Sequence, residues 1–163
     1  MPLSTALWAL LFGLIPGPAA QAAFQIFYKK GQVQVLRQGK AASGDTVLAG
    51  DRVQVGPASL AILKSDREIL KLTQDTDIQV VEHTGGEAPT FLSLVRGGLI
   101  AKVDKKAFTV KTKTTSMGVR GTHFFVSLGE GGEEWMCVKE RLVEVEASGK
   151  KTPVPQGKGV FVK

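Results

Sequence analysis

The sequence predicts an all-β protein, a single domain of many short antiparallel strands arranged as a sandwich or a solenoid. Apolar and polar residues alternate in most segments after residue 24, which places one face of each strand in a core and the other in water. Turn residues separate these segments about every 8–12 residues, a spacing typical of all-β folds. No stretch after residue 24 combines a helical period with capping residues.

The alternation can be followed along the whole chain. The apolar positions with period two are Val33 and Val35, Val53 and Val55, Leu70 and Leu72, Ile78 and Val80, Leu99 to Val103, Phe124 to Leu128, Val143 and Val145, and Val160 and Val162. Two Gly-Asp steps, Gly44-Asp45 and Gly50-Asp51, flank a short apolar segment; Gly permits a positive φ and Asp bonds the backbone of a turn. The spacing is regular but no exact repeat occurs, so both a sandwich and a solenoid remain possible.

Residues 1–22 predict a secretory signal peptide. Leu3 to Ala23 contains no charged residue, Ala6 to Leu14 is apolar, and Ala20-Gln21-Ala22 has the small-x-small pattern of a cleavage site. The apolar run is shorter than the roughly 20 residues that span a bilayer, so no stable transmembrane segment is expected after cleavage. We therefore expect a periplasmic or secreted protein whose single domain covers residues 24–163.

No catalytic, metal or cofactor site is expected from the sequence. Cys137 is the only cysteine, so it has no disulfide partner within the chain, and no histidine neighbours it in sequence to activate its thiol. His83 and His123 belong to no metal-ligand spacing, and Asp75 to Asp77 lacks the further acid and the glycine of a calcium loop. No Gly-x-Ser-x-Gly motif is present.

The net charge of +6 belongs to the part of the chain that follows the signal peptide. A basic segment opposed only by Asp104 forms the candidate binding surface, which comprises Lys102, Lys105, Lys106, Lys111 and Lys113. Nucleic acid is not expected as the partner, because base stacking needs exposed aromatic side chains and only Phe108 is near. A basic exported protein meets anionic lipid headgroups and cell-wall polymers. For these lysines the favoured interpretation is a solvated strand face that keeps the protein soluble, and contact with an anionic lipid or polymer comes second.

The most informative stretch runs from Ser116 to Phe124. Gly118 and Gly121 bracket Val119-Arg120, a pattern that predicts a bulge or a tight corner between two strands. In that interpretation the guanidinium of Arg120 satisfies carbonyl groups at the corner, and Thr122 bonds the local backbone.

Val119-Arg120-Gly121-Thr122, preceded by a Thr- and Ser-rich strand, resembles the signature of the FecR domain. Further segments similar to that family occur in order, so the resemblance covers about residues 24–147. They are Gly31 to Val35, Gly50-Asp51-Arg52-Val53, Ala58 to Leu63, Leu70 to Leu72, Leu94 to Ala101, and Val138 to Val145. The resemblance implies an all-β periplasmic or extracellular domain, and its best-known members are transmembrane anti-sigma regulators.

This chain departs from those regulators, since no anti-sigma segment, second membrane helix or further periplasmic piece is expected in it. The sequence therefore favours a non-enzymatic, exported binding or regulatory domain of the cell envelope, whose partner is an envelope protein or a cell-wall component. One alternative is a periplasmic partner in signalling to an extracytoplasmic sigma factor during iron or metal uptake. A cell-wall-modifying enzyme is the other alternative.

Overall fold

The computed structural model describes residues 22–83 and 88–163, and every regular element within them is a β-strand. The predicted signal peptide lies outside the described residues except for Ala22. The strands are β1 (Ala22–Lys30), β2 (Val33–Arg37), β3 (Lys40–Ala41), β4 (Thr46–Leu48), β5 (Arg52–Val55), β6 (Leu60–Lys64), β7 (Glu68–Leu72), β8 (Asp77–His83), β9 (Thr90–Val103), β10 (Ala107–Lys111), β11 (Thr115–Arg120), β12 (His123–Leu128), β13 (Glu134–Glu140), β14 (Leu142–Ala147), β15 (Lys150–Pro155) and β16 (Gly159–Val162).

Two packed layers form from these strands, and β9 belongs to both. Sheet A has the order β4-β1-β6-β7-β9-β12-β13-β16. Sheet B has the order β3-β2-β5-β8-β9-β10-β11-β14-β15. The first half of β9 pairs in sheet B and the second half, from Gly97 onward, pairs in sheet A. The fold is therefore a sandwich whose two sheets share one strand.

The passage of β9 between the sheets depends on Gly97 and Gly98. Gly97 has a φ of 82°, in the left-handed region that favours glycine. A Cβ atom at Gly97 would lie 2.5 Å from Cα of Thr76, so the backbones of β9 and of the segment before β8 are in direct contact. The Thr76 hydroxyl accepts from the Gly98 N–H and donates to the Gly98 carbonyl, both at 3.0 Å. These bonds satisfy the backbone where the strand ladder changes sheets.

The same bend explains a parallel pair that the sequence did not predict. After β9 the chain returns to sheet B within three residues, Asp104 to Lys106, and β10 begins again beside the start of β9. The chain has then completed one coil, so Phe108 to Lys111 run parallel to Thr90 to Ser93. The other strand pairs of the described residues are antiparallel.

One apolar core lies between the sheets. Phe108 of sheet B meets Phe124 of sheet A with ring centroids 6.2 Å apart in an edge arrangement. The alternating apolar positions of the sequence point inward: for example, Val53, Leu70, Leu99 and Val126 are fully buried. The prediction of an all-β fold is confirmed, and the arrangement is a sandwich. The expectation of antiparallel pairing is wrong only for β9 with β10, because a pattern of buried residues does not encode strand direction.

Replacing Gly97 by Ala should lower the free energy of unfolding by at least about 2 kcal/mol, because the new methyl group would strain a positive φ and meet backbone of Thr76. Gly118→Ala is the matched control: Gly118 lies within β11 with open space where a Cβ would stand, so it should change stability by at most about 0.5 kcal/mol. Urea unfolding of both variants measures the difference. Similar losses at the two positions would contradict the role of Gly97.

Candidate functional site

The segment Gly50-Asp51-Arg52-Val53 supplies one half of each of two ion pairs. The carboxylate of Asp51, 2% exposed, accepts from Arg37 Nη2 at 2.7 Å and from the Leu48 N–H at 2.8 Å. Arg52 donates to both oxygens of Asp77 at 2.5 and 2.6 Å. Burial alone would raise the pKa of Asp51, but Arg37 and the Leu48 N–H outweigh it and hold the pKa below its usual range. Asp51 and Arg52 therefore have structural roles.

A second buried carboxylate, Glu68, joins the two sheets at the end of the sandwich where β9 begins. Glu68 pairs with Val103 in sheet A and is 1% exposed. Its Oε1 accepts from the hydroxyl of Thr90, in sheet B, at 2.7 Å and lies 3.1 Å from Nζ of Lys106. Its Oε2 accepts from the hydroxyl of Ser65. A buried charge requires such partners because it has lost its water.

His83 completes this cluster. Its Nε2 is 3.7 Å from Glu68 Oε2, and neither ring nitrogen has a hydrogen-bond partner among the described residues. The ring packs against Phe24 with centroids 5.1 Å apart. Burial acts to raise the pKa of Glu68, but His83, Thr90 and Lys106 together lower it below its ordinary value.

Glu134 makes the equivalent connection at the opposite end, where β9 bends. It belongs to β13 of sheet A and is 3% exposed. Its carboxylate accepts from the hydroxyls of Thr112 at 2.5 Å and Thr114 at 2.6 Å, in the turn between β10 and β11, and from that of Thr115, the first residue of β11. The threonines preceding the motif in sequence thus hold the two layers together.

The motif itself occupies β11 and the turn that follows it. Met117 and Val119 point into the core, and Ser116, Gly118 and Arg120 point outward from sheet B. Gly121 has a φ of 67°, and a Cβ there would lie 3.1 Å from the Lys105 nitrogen. Thr122 is 2% exposed; its hydroxyl donates to the Leu142 carbonyl at 3.1 Å and its own carbonyl accepts from the Val103 N–H at 2.9 Å.

Three parts of the corner interpretation are therefore wrong. The turn begins after Arg120 rather than at Gly118, which lies within β11 opposite Thr109 and Glu144. Arg120 is exposed and its side chain has no partner among the described residues, so Thr122 and not Arg120 holds the corner. The expected local bond of Thr122 is not formed, because its hydroxyl reaches the carbonyl of Leu142, twenty residues further along the chain.

The outward residues of the motif belong to a broad surface of sheet B, here called the motif face. Cross-strand neighbours on it are Phe91, Thr109, Gly118 and Glu144 in one row, and Gln79, Ser93, Lys111, Ser116 and Glu146 in the next. An open groove of about 730 Å³ lies over part of this face and is also lined by Val81, Glu82 and Lys113. The groove combines an exposed aromatic ring with hydroxyl groups and charges of both signs.

The structure does not assemble the predicted lysine surface. Lys106 is wrong as a surface residue, because it is 2% exposed and paired with Glu68. Lys102 faces outward from sheet A, whereas Lys111 faces outward from sheet B. Lys105 lies in the loop between β9 and β10, and Lys113 in the turn after β10. The sequence placed them together because they are close along the chain, but the chain changes sheets between them.

The candidate chemical groups are dispersed. Cys137 is half-buried on sheet A, and Ser116 lies on sheet B. Within residues 22–83 and 88–163, no group of three or more His, Cys, Asp or Glu side chains could hold a metal ion. The described residues also include no helix with the length and apolar character needed to cross a membrane.

The family model described as FecR protein matches residues 51–140, more than half of the chain. The chain therefore belongs to the FecR family, as its motif predicted. None of the curated proteins matches it.

Among solved structures, two crystal structures, at 2.50 and 1.65 Å resolution, of a "putative anti-sigma factor" from Parabacteroides distasonis ATCC 8503 resemble the fold. Each has a TM-score of 0.61 and 18% identity, and the match covers 68% of this chain and 54% of the other. The chain thus spans about half the length of the structures it matches. At this identity the likeness shows the fold.

Glu68→Gln should lower the free energy of unfolding by about 3–5 kcal/mol at neutral pH, because Lys106 would remain buried without its counter-charge. Since the folded-state pKa of Glu68 is lowered, its stabilisation is complete above the ordinary carboxyl pKa and is lost as pH falls through the folded value. The wild type should therefore lose stability below about pH 4–5, and Glu68→Gln should lose less over the same range. Thermal unfolding between pH 3 and 7 tests this.

The double variant Glu68→Gln/Lys106→Met should be more stable than Glu68→Gln alone, because it removes the unpaired buried charge. Equal dependence of stability on pH in the wild type and in Glu68→Gln would refute the role of Glu68 as a buried, paired carboxylate.

Thr122→Val should cost about 0.5–1.5 kcal/mol, since it removes the hydroxyl that donates to the partly buried Leu142 carbonyl at nearly constant volume. Arg120→Ala, at an exposed and unpaired position, should change stability by at most about 0.5 kcal/mol. Denaturant midpoints of the two variants show which of the two residues, Thr122 or Arg120, holds the corner. A larger loss for Arg120→Ala would restore the arginine as the residue that holds the corner.

Proposed function

We propose that this FecR-family chain is a non-enzymatic, exported domain that regulates the cell envelope by binding a partner protein through the motif face. The signal-peptide pattern of residues 1–22 supports export, and membership of the FecR family supports an envelope location. The observation that carries the proposal is the position of Gly118 and Arg120 on the outer surface of β11.

Neither residue is explained by the fold. Gly118 does not have a positive φ, and a Cβ there would meet open space, so the chain itself does not require glycine at this position. A glycine inside a strand often marks a place where another molecule approaches the backbone closely. Arg120 is two residues away on the same face, with its five donors unused by the described residues. Glycine and arginine together offer an accessible backbone and a strong donor.

The groove beside them favours a polypeptide as the partner. Phe91 offers an exposed aromatic surface, while Ser93, Thr109 and Ser116 offer hydroxyl groups that both donate and accept hydrogen bonds. Lys111 and Glu146 supply both charges on the same face. Such a mixed surface suits a protein loop, whose apolar and polar groups also alternate over short distances.

A signalling role is the favoured form of this regulation. The solved structures of similar fold are described as a putative anti-sigma factor, and the FecR resemblance of the motif points in the same direction. We propose that the domain acts in signalling together with a membrane protein. A more specific version of this proposal is that the membrane protein relays the signal to an extracytoplasmic sigma factor. A cell-wall component is the alternative ligand, and an enzyme is disfavoured because Cys137 and Ser116 lie on different sheets.

The test is capture of a partner from envelope extracts by the immobilised chain. The wild type should retain a protein saturably, and Gly118→Gln and Arg120→Gln should each weaken that binding about tenfold or more, in line with the cost of losing a central interface contact. Lys158→Gln, an exposed substitution in the turn before β16, is the matched control and should bind like the wild type.

Two outcomes would overturn the proposal: no saturable protein partner for the wild type, or unchanged binding by both motif variants. If the immobilised chain retains glycan strands instead of a protein, the partner is a cell-wall component and the proposed protein partner is wrong. N-terminal sequencing of the protein recovered from the envelope fraction reports whether cleavage follows Ala22 or Ala23.

A further inference from the structure

The outer face of sheet A differs in character from the motif face. Its exposed side chains are mainly aromatic, aliphatic and basic. Phe27 is 66% exposed, Trp135 49% and Phe161 50%, which is unusual for large apolar residues in water. Trp135 and Phe161 are direct cross-strand neighbours, and together with Phe27 and Tyr28 they place aromatic rings near both edges of the sheet.

A mainly apolar row, interrupted by Lys71, crosses seven of the eight strands of sheet A. It follows successive cross-strand pairs through Tyr28, Ile62, Lys71, Ile100, Phe125, Cys137 and Gly159. Seven strands at about 4.8 Å spacing make this row about 29 Å wide. Apolar side chains spread over this width expose more apolar area than the single apolar residues that are normal on a protein surface.

The charge on this face is one-sided. The lysines on the strands of sheet A are Lys29, Lys30, Lys64, Lys71, Lys102 and Lys139. Of the acids on the same strands, Glu68 and Glu134 point inward and are buried, and only Glu140 is exposed. Lys29 has a partner in Asp45, and Glu140 lies 3.7 Å from His123. The face therefore carries an excess of positive charge around its apolar row.

Lysines and rings are also combined side by side. Nζ of Lys64 lies 3.5 Å from the centroid of the Phe27 ring, and Lys64 continues through Ile69 to Lys102 in one cross-strand row. Lysine stems can lie along apolar surface while their charged ends reach a polar boundary, and Trp, Tyr and Phe favour the same boundary between apolar and wet layers.

We propose that the outer face of sheet A binds the surface of an anionic lipid bilayer. Charge complementarity selects a negative partner, and the aromatic rings select one with an apolar layer directly beneath its charge. A bilayer also matches the geometry, because it can contact side chains spread over this width without a shaped groove. Two open grooves among the described residues, of about 730 and 520 Å³, lie on sheet B. The domain would then rest on the membrane by sheet A with the motif face turned away, and this inference does not depend on the proposed protein partner.

The experiment measures binding of the full chain to vesicles of phosphatidylglycerol and phosphatidylcholine in equal parts, and to vesicles of phosphatidylcholine alone. Trp8→Phe is the background, so that Trp135 is the only tryptophan and its emission should shift to shorter wavelength on binding. Residues 1–22 are identical in the background chain and in the variants derived from it, so any contribution they make to binding cancels when these chains are compared.

Lys64→Gln/Lys102→Gln should weaken binding to the anionic vesicles by about fivefold per lysine removed. Phe27→Ser/Phe161→Ser should weaken it by a comparable factor. The matched control, Lys111→Gln/Lys113→Gln, removes the same charge from sheet B and should leave binding within about twofold of the background chain, because those lysines face away from the bilayer. Added salt should weaken the binding of the background chain.

The proposal is overturned if the chain binds both vesicle types equally, or if the sheet B pair loses as much binding as the sheet A pair. It is also overturned if the chain binds neither vesicle and sedimentation shows a dimer that Phe27→Ser/Phe161→Ser dissociates; the occupant of the face is then a second copy. Absence of a protein partner in the capture experiment would leave the lipid result unaffected, so the two proposals fail separately.

Discussion

Strand β9 turns from sheet B into sheet A at Gly97 and Gly98, and the rest of the sandwich is arranged around that turn. A side chain at Gly97 would collide with the backbone of Thr76, so the two strands approach only because glycine is present. Once β9 serves both sheets, β7 and β12 must flank its second half and β8 and β10 its first half. The parallel pairing of β10 is a direct consequence.

Buried carboxylates at both ends of the sandwich fix the spacing of the two sheets. Glu68 binds Thr90 and Lys106 at one end, and Glu134 binds three threonines at the other. Each acid lies on sheet A and takes its partners from sheet B or from a connecting loop. Removing one partner leaves a buried charge without water or counter-charge. The loss of folding free energy is then larger than the net stabilisation that the intact pair contributes. These contacts therefore define which parts of the two layers face each other.

Residue type alone misassigned several roles at the candidate site. Arg120 has the chemistry to satisfy carbonyls, yet the backbone directs it outward because it follows the inward-facing Val119 in a regular strand. Thr122, a smaller residue, lies in the turn where one hydroxyl reaches a carbonyl of the next strand pair. Lys106 has the composition of a surface residue, but the loop that returns β9 to sheet B carries it to Glu68. A contact between segments far apart in sequence decided the roles of Thr122 and Lys106, whereas strand alternation decided that of Arg120.

The sequence by itself determined the all-β class, the inward positions of the alternating strands and the FecR family, because these follow from local periodicity and from a short ordered motif. It also pointed to the stretch around Gly118 as informative. Only the tertiary structure decided that Gly118 and Arg120 share an open face and that Lys102 and Lys111 lie on opposite sides. It also brought the aromatic residues of four separate strands, together with several lysines, onto one face of sheet A. The physical reason is that a strand specifies which face it buries, whereas its neighbours in the sheet are chosen by bends and contacts distant in sequence.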